Sequence, residues 1–241
     1  QRFSIDDAPP INGPLRFIPA ILTHLRELGI DVPPSELWVT STLPAGRGLS
    51  SSAAFSLACL DALTRLAETP MTPNELIEAA YAVENKHLQI GCGRLDPAAC
   101  AAAEPLLLHW PLNTQPNDIN IRQTRVKPFG TLHLIVGVFQ THRDSSSILT
   151  ALHSHHNAPL GDSTGDAVRE AFAEFGAAAE RGAHALRTGN FTLLGDAMDH
   201  VQEIYESNLG SQIPIMHAPK LRKIVRSIRA KGALGSKFSG A

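Results

Sequence analysis

No apolar run in this sequence approaches the roughly 20 residues that a membrane-crossing helix needs, so a helical membrane span is excluded. The opening residues, Gln1-Arg2-Phe3-Ser4-Ile5-Asp6-Asp7, lack the basic-then-apolar order of a signal peptide, and nothing in them marks the chain for export. Cysteine is scarce. Cys59, Cys92 and Cys100 are odd in number and have no paired ligand spacing, which argues against a disulfide framework or a structural zinc site and for reduced thiols in a cytoplasmic protein. Charge of one sign is lacking too: 21 basic residues face 23 acidic ones, a net charge of -2, so there is no general attraction to nucleic acid or an anionic membrane. A small soluble partner is the better expectation, and the sequence assigns no oligomeric state. Internal repeats and low-complexity tracts are absent. Ser145-Ser146-Ser147 and the trio His153, His155 and His156 form a polar stretch, read as a solvated surface because no carboxylate or cysteine sits at ligand spacing.

What is present suits a globular fold: 241 residues, 43% hydrophobic, enough for one large domain or two packed halves. The first residue is glutamine and the last three, Ser239-Gly240-Ala241, fall inside what reads as a glycine-rich turn, so a longer parent chain is expected. After the proline-rich Ala8 to Pro14, apolar residues from Leu15 to Leu28 recur at helical intervals and Gly29 closes the run. Glu36 to Thr42 alternates like a strand, Leu43 to Leu49 is a glycine loop, and Ser50 to Glu68 returns to helical spacing. Thr72-Pro73-Asn74-Glu75 carries a capping residue, a proline at the first helical position and a glutamate three residues after the cap, predicting a helix to about Leu88. A short Ala-rich segment follows from Asp96, then strands at Pro105 to Trp110, Ile119 to Val126 and Thr131 to Phe139. Helices are expected near 165–188, 190–207 and 217–231, and a last strand at Ala233 to Ser239. The expected class is α+β, divided into residues 1–143 and a helix-rich 144–241.

Pro44-Ala45-Gly46-Arg47-Gly48-Leu49-Ser50-Ser51-Ser52-Ala53 joins the expected strand to a helix. Its glycines let backbone approach an anion, and the helix start offers free amides and positive dipole, the physics of a phosphate cradle. Serine hydroxyls there could also ligate magnesium, although the Gly-Lys-Ser/Thr ending of a Walker loop is missing. A surface turn with Ser50 as helix cap is the alternative. Further on, Ile77, Ala80, Glu84 and Leu88 share one helical face, putting a carboxylate on an apolar stripe. It is costly there unless paired or bound to a cation; a place at the stripe's edge, paired with Lys86 or a distant base, is the other reading. Asp96, before Pro97, could start a turn or cap a helix.

Taken together these segments resemble the galactokinase, homoserine kinase, mevalonate kinase and phosphomevalonate kinase (GHMP) family. Pro44, Gly48, Leu49, Ser51, Ser52 and Ala53 stand on the fixed positions of its central motif, Pro-x-x-x-Gly-Leu-x-Ser-Ser-Ala. Glu84, Cys92-Gly93 and Asp96 resemble the galactokinase order of Glu, Cys-Gly and Asp, with the acids twelve positions apart, although Pro97 replaces the usual glutamine. Lys231 to Ala241 resembles the start of the family's C-terminal motif. The family's basic N-terminal motif is not seen. The resemblance implies a two-lobed fold, with an N-terminal α/β lobe holding the phosphate loop and a C-terminal helix-rich, ferredoxin-like lobe. It implies an ATP- and Mg²⁺-dependent kinase acting on a hydroxyl of a small metabolite. Pro44 to Ala53 would bind nucleotide, Ser52 and Glu84 would hold Mg²⁺, and Asp96 would be the catalytic base or orient the hydroxyl. Lys237, Ser239 and Gly240 would lie near the site. A monosaccharide acceptor fits the motif wording best; a mevalonate-like acceptor and a non-catalytic nucleotide- or sugar-binding sensor are the alternatives.

Overall fold

Thr72 begins its helix as its sequence dictates. The Glu75 amide donates to Thr72 Oγ1 at 3.3 Å and the Thr72 amide donates to Glu75 Oε2 at 2.7 Å, two otherwise unpaired donors satisfied by one reciprocal box. This holds in a computed structural model, which describes residues 14–102, 104–109, 122–138 and 145–239. Two compact units divide the chain: Gln1–Ala103 with Phe139–His142, and Glu104–Val138 with Arg143–Ala241.

The first unit is helical. α1 (Phe17–Glu27), α2 (Ser51–Leu66), α3 (Pro73–Ala82) and α4 (Leu95–Ala102) pack around Phe17, Ile21, Leu25, Leu57, Leu60, Leu63, Ala79, Ala80 and Val83. Gly29 closes the α1 region with φ +75°, a left-handed turn that glycine adopts without steric cost. α3 does not stop at Ala82: it runs into a π-helical turn, Val83–His87, in which the Leu88 amide bonds the Val83 carbonyl at 3.1 Å. The five-residue spacing accommodates one more residue than an α-turn and re-aims the side chains that follow.

The second unit carries the only strands among the described residues. β1 (Leu106–His109) and β2 (Arg122–Arg125) form an antiparallel pair with Leu107 opposite Thr124. α5 (Ser145–His156), α6 (Ser163–Thr188), α7 (Phe191–Ile204), the short α8 (Gly210–Gln212) and α9 (Pro219–Ala230) make up the rest. Ile148, Val168, Ala171, Ile204, Leu209, Ile213 and Met216 form its main core, while Leu107 and Val126 pack with Ala183. Asp162 and Asn190 cap α6 and α7 by accepting from the amides of Gly165 and Leu193.

The α+β class stands, with more helix and less sheet than expected. Residues 36–42 and 131–138 form no strand, and Ala233 to Ser239 forms none either; Phe139 and the Ile119 end of the β2 segment lie outside the described residues. A β pattern becomes a strand only where a neighbour completes the ladder, and the first two segments leave Trp38 and Ile135 on the surface. The third has a different reason. Two of its amides are taken by side chains: Ser236 N–H donates to Asp199 Oδ1 at 2.8 Å and Phe238 N–H to Gln202 Oε1 at 3.0 Å, both acceptors on α7. The backbone comes close enough that a Cβ on Gly195 or Gly235 would strike the opposite main chain.

Candidate active site

The glycine loop leaves residues 43–48 exposed and turns left-handed three times, at Gly46 (φ +66°), Gly48 (φ +70°) and Ser50 (φ +53°). The first two are natural for glycine; the third is unusual for a residue with a side chain. Ser50 occupies the position before α2, but its side chain makes no capping bond, contrary to the surface-turn alternative. The first amides of α2 therefore have no acceptor from that cap, and the first intrahelical bond runs from Ala54 N–H to Ser50 C=O at 3.0 Å. Arg47 lies on the exposed arm of this loop.

Beneath the loop sits Glu84. It is 6% exposed, in the middle of the π-turn, with Ile77 and Ala80 of the same stripe buried beside it. Lys86 does not pair with it: its Nζ lies 2.7 Å from Glu27 Oε2. Glu84 Oε1 has no hydrogen-bond partner. Burial raises its pKa above the ordinary carboxylate value; the Ser52 hydroxyl opposes that rise, the charge of Asp96 adds to it, and the Arg16 cation and Cys92 thiol oppose it. Ser52, Glu84 and Asp96, far apart in sequence, thus share one electrostatic neighbourhood. Cys92 belongs to it as well: burial, then the charges of Glu84 and Asp96, push its thiol to about 12. Cys100 is raised by burial and by the same two acids, and its thiol reaches the Ser50 carbonyl at 3.9 Å, tying α4 to the end of the loop.

Asp96 is exposed in the first turn of α4. Two residues earlier, Arg94 fixes the entry to that helix. Its Nε donates to both carboxylate oxygens of Glu78 at 2.7 and 2.9 Å, and the guanidinium lies 4.0 Å from the Tyr81 ring centroid. A charge-assisted bond combined with ring stacking on α3 holds the segment on which Asp96 stands. Neither Arg94 nor Arg16 is singled out by the motifs; Arg94's place between Cys92-Gly93 and Asp96 is the one signal that points to it. In the second unit, Lys237 is half-buried, which lowers its pKa, and Ser239 is exposed. Gly240 lies outside the described residues.

Oxygen donors of this kind suit a hard divalent cation: a carboxylate with an unpartnered buried oxygen, a hydroxyl beside it and a second carboxylate nearby. Residues 16–104 match the family model of the GHMP kinases N terminal domain. The chain is GHMP kinase-like. Galactokinase from Thermotoga petrophila (strain ATCC BAA-488 / DSM 13995 / JCM 10881 / RKU-1) is 27% identical over 122 residues, 46% of this chain and 35% of that protein. Galactokinase from Pyrococcus furiosus (strain ATCC 43587 / DSM 3638 / JCM 8422 / Vc1) is 29% identical over 99 residues, 41% of this chain and 28% of that protein. These matches thus span about a third of the curated relatives' length. The solved structure of Lactococcus lactis galactokinase complexed with galactose superposes with a TM-score of 0.70, covering 98% of this chain and 66% of that one at 15% identity. That likeness carries the GHMP kinase fold. No described helix of the GHMP kinase-like chain is long and apolar enough to cross a membrane.

Proposed function

We propose that this chain belongs to an ATP- and Mg²⁺-dependent kinase that phosphorylates a hydroxyl of a monosaccharide, as a cytoplasmic enzyme of carbohydrate metabolism. The observation that carries the reading is the buried carboxylate of Glu84, with Oε1 unpartnered, next to Ser52 at the end of a glycine loop that opens a helix. The galactokinase relatives favour a sugar as acceptor.

In this reading Pro44, Ala45, Gly46, Arg47, Gly48, Leu49, Ser50, Ser51, Ser52 and Ala53 bind the nucleotide, and the α2 amides face its phosphates with the positive end of the helix dipole. Ser52 and Glu84 would hold Mg²⁺, which would supply positive charge against the phosphate oxygens. Asp96 accepts the hydrogen bond of the acceptor hydroxyl, aiming its oxygen and taking up its proton as that oxygen bonds the γ-phosphorus of ATP and the bond from phosphorus to the bridging oxygen of ADP breaks, releasing ADP. Such transfers depend on positioning and charge neutralisation rather than on covalent help from the protein, and Arg94, by fixing the start of α4, supplies part of the positioning. Residues 1–143 make the lobe of the phosphate loop and 144–241 the helix-rich, ferredoxin-like lobe.

Coupled measurement of ADP release with Mg²⁺, screened against free monosaccharides, mevalonate and homoserine, tests the proposal. Turnover with one sugar is expected. Turnover with mevalonate alone overturns the acceptor, and nucleotide binding without turnover on any acceptor favours a sensor.

A further inference from the structure

On the far end of the π-turn, His87 meets two residues of α1. His24 Nδ1 lies 3.2 Å from His87 Nε2, Glu27 Oε2 lies 3.4 Å from His87 Nε2, and the same oxygen lies 3.9 Å from His24 Nδ1. We propose that His24, Glu27 and His87 form a binding site for a divalent transition ion of the zinc class, separate from the oxygen donors around Glu84.

Three distances decide the fit. The point equidistant from the three atoms, taken as the circumcentre of a triangle with those edges, lies about 2.0 Å from each. Zinc bonds to imidazole nitrogen and carboxylate oxygen are about 2.0–2.2 Å. No side chain has to move far. The imidazole planes cross at 66° with centroids 5.3 Å apart, an edge-on arrangement that brings Nδ1 of one ring to Nε2 of the other. His24 and Glu27 are i and i+3 on α1 and share a face, which the helix presents ready-made. His24 is nine-tenths buried, whereas Glu27 stands at the solvent rim and gives an entry path.

The donor set selects the ion. Two imidazoles and one carboxylate suit zinc and its neighbours and are a poor match for magnesium or calcium, which prefer all-oxygen shells. Three protein ligands leave one tetrahedral position for water. Burial, the largest influence on each, lowers the pKa of both histidines and favours the neutral form that carries a ligand lone pair. Lys86 Nζ, 2.7 Å from Glu27 Oε2, now supplies positive charge at the mouth of the site; it is well exposed and free to turn to water when a cation enters. A bound ion would tie α1 to the π-turn and so fix the segment that carries Glu84.

The test is direct binding, independent of any kinase activity. Chelator-treated protein is titrated with Zn²⁺ in competition with a chromophoric chelator, and with Co²⁺ followed by visible absorption. One equivalent, an intense four-coordinate Co²⁺ spectrum and a thermal midpoint raised by Zn²⁺ are expected. Glu27→Gln, at an exposed position that leaves the fold intact by circular dichroism, lowers Zn²⁺ affinity at least about ten-fold. His87→Gln lowers it as well, and Lys86→Met raises it. Stoichiometric binding that survives Glu27→Gln and His87→Gln unchanged, or that is lost in His153→Ala/His155→Ala/His156→Ala or Cys92→Ser/Cys100→Ser instead, overturns the site, as does failure of the wild-type protein to hold Zn²⁺ at micromolar concentration.

Discussion

Glu84 faces the hydroxyl of Ser52 across the junction of two helices, and the hydroxyl leaves the carboxylate's Oε1 without a donor. A charge so placed destabilises the protein until a cation arrives. Because its pKa is raised in the fold, the fold binds this proton more tightly than the unfolded chain does. The destabilisation is absent well below the ordinary value of 4.5, grows as pH rises, and is complete above the raised pKa. Glu84→Gln should therefore stabilise the metal-free protein at neutral pH by about 1 kcal/mol and flatten that part of its pH–stability profile. Thermal unfolding in EDTA between pH 4 and 8 checks this; an unchanged profile would show that Glu84 ionises at no cost.

The same substitution should abolish Mg²⁺-dependent turnover, whereas Asp96→Asn should act differently. Loss of the group that takes up the acceptor proton is expected to cost at least about 100-fold in kcat, with nucleotide affinity, followed by calorimetry, kept within a few-fold. Loss of nucleotide binding in a folded Asp96→Asn protein would contradict the role given to Asp96.

Cys92 should report on the pocket. With a pKa near 12 it is almost wholly thiol at neutral pH, and its alkylation by iodoacetamide should be slow and rise steadily with pH up to 10. Two of the causes are the charges of Glu84 and Asp96. Millimolar Mg²⁺ with nucleotide should shield them and lower that pKa, or else bury the thiol and stop the labelling. Peptide mass spectrometry reads either change at Cys92, with deeply buried Cys59 as internal reference, its thiol raised to about 11 by burial.

In the second unit, Gly195→Ala should cost about 3 kcal/mol or more, because the added methyl would strike the Leu234 carbonyl and push the 233–238 segment from α7. A urea unfolding midpoint unchanged by that variant would mean the segment is not seated against α7 in solution.

Local rules made much of this legible. Thr72 and Glu75 announced their helix by side-chain chemistry that needs no distant partner, and the Ile77, Ala80, Glu84 stripe put an acid in the interior because helical period decides facing. Non-local partners were not legible. The β-rich wording of 36–42 is real, but a strand is a property of two segments and one sequence cannot supply its neighbour. Ala233 to Ser239 has the amides of Ser236 and Phe238 met by Asp199 and Gln202, side chains more than thirty residues away that no spacing rule links to it. The Arg94–Glu78 pair and the meeting of His24 with His87 are of the same kind. The capping alternative for Ser50 fails for a subtler reason: serine is a favoured cap only when its backbone is extended, and here it is left-handed.

The π-turn sets a phase. Deleting Asn85 or Lys86 would let α3 continue with ordinary spacing, turning everything downstream by about 100° around the helix axis and drawing it back by about 1.5 Å. Cys92 and Asp96 would then arrive on the wrong side of the pocket with every one of their side chains intact. The number of residues in this turn is as much a component of the site as Glu84 itself, and a shortened chain would fail by misalignment while keeping a full set of chemical groups.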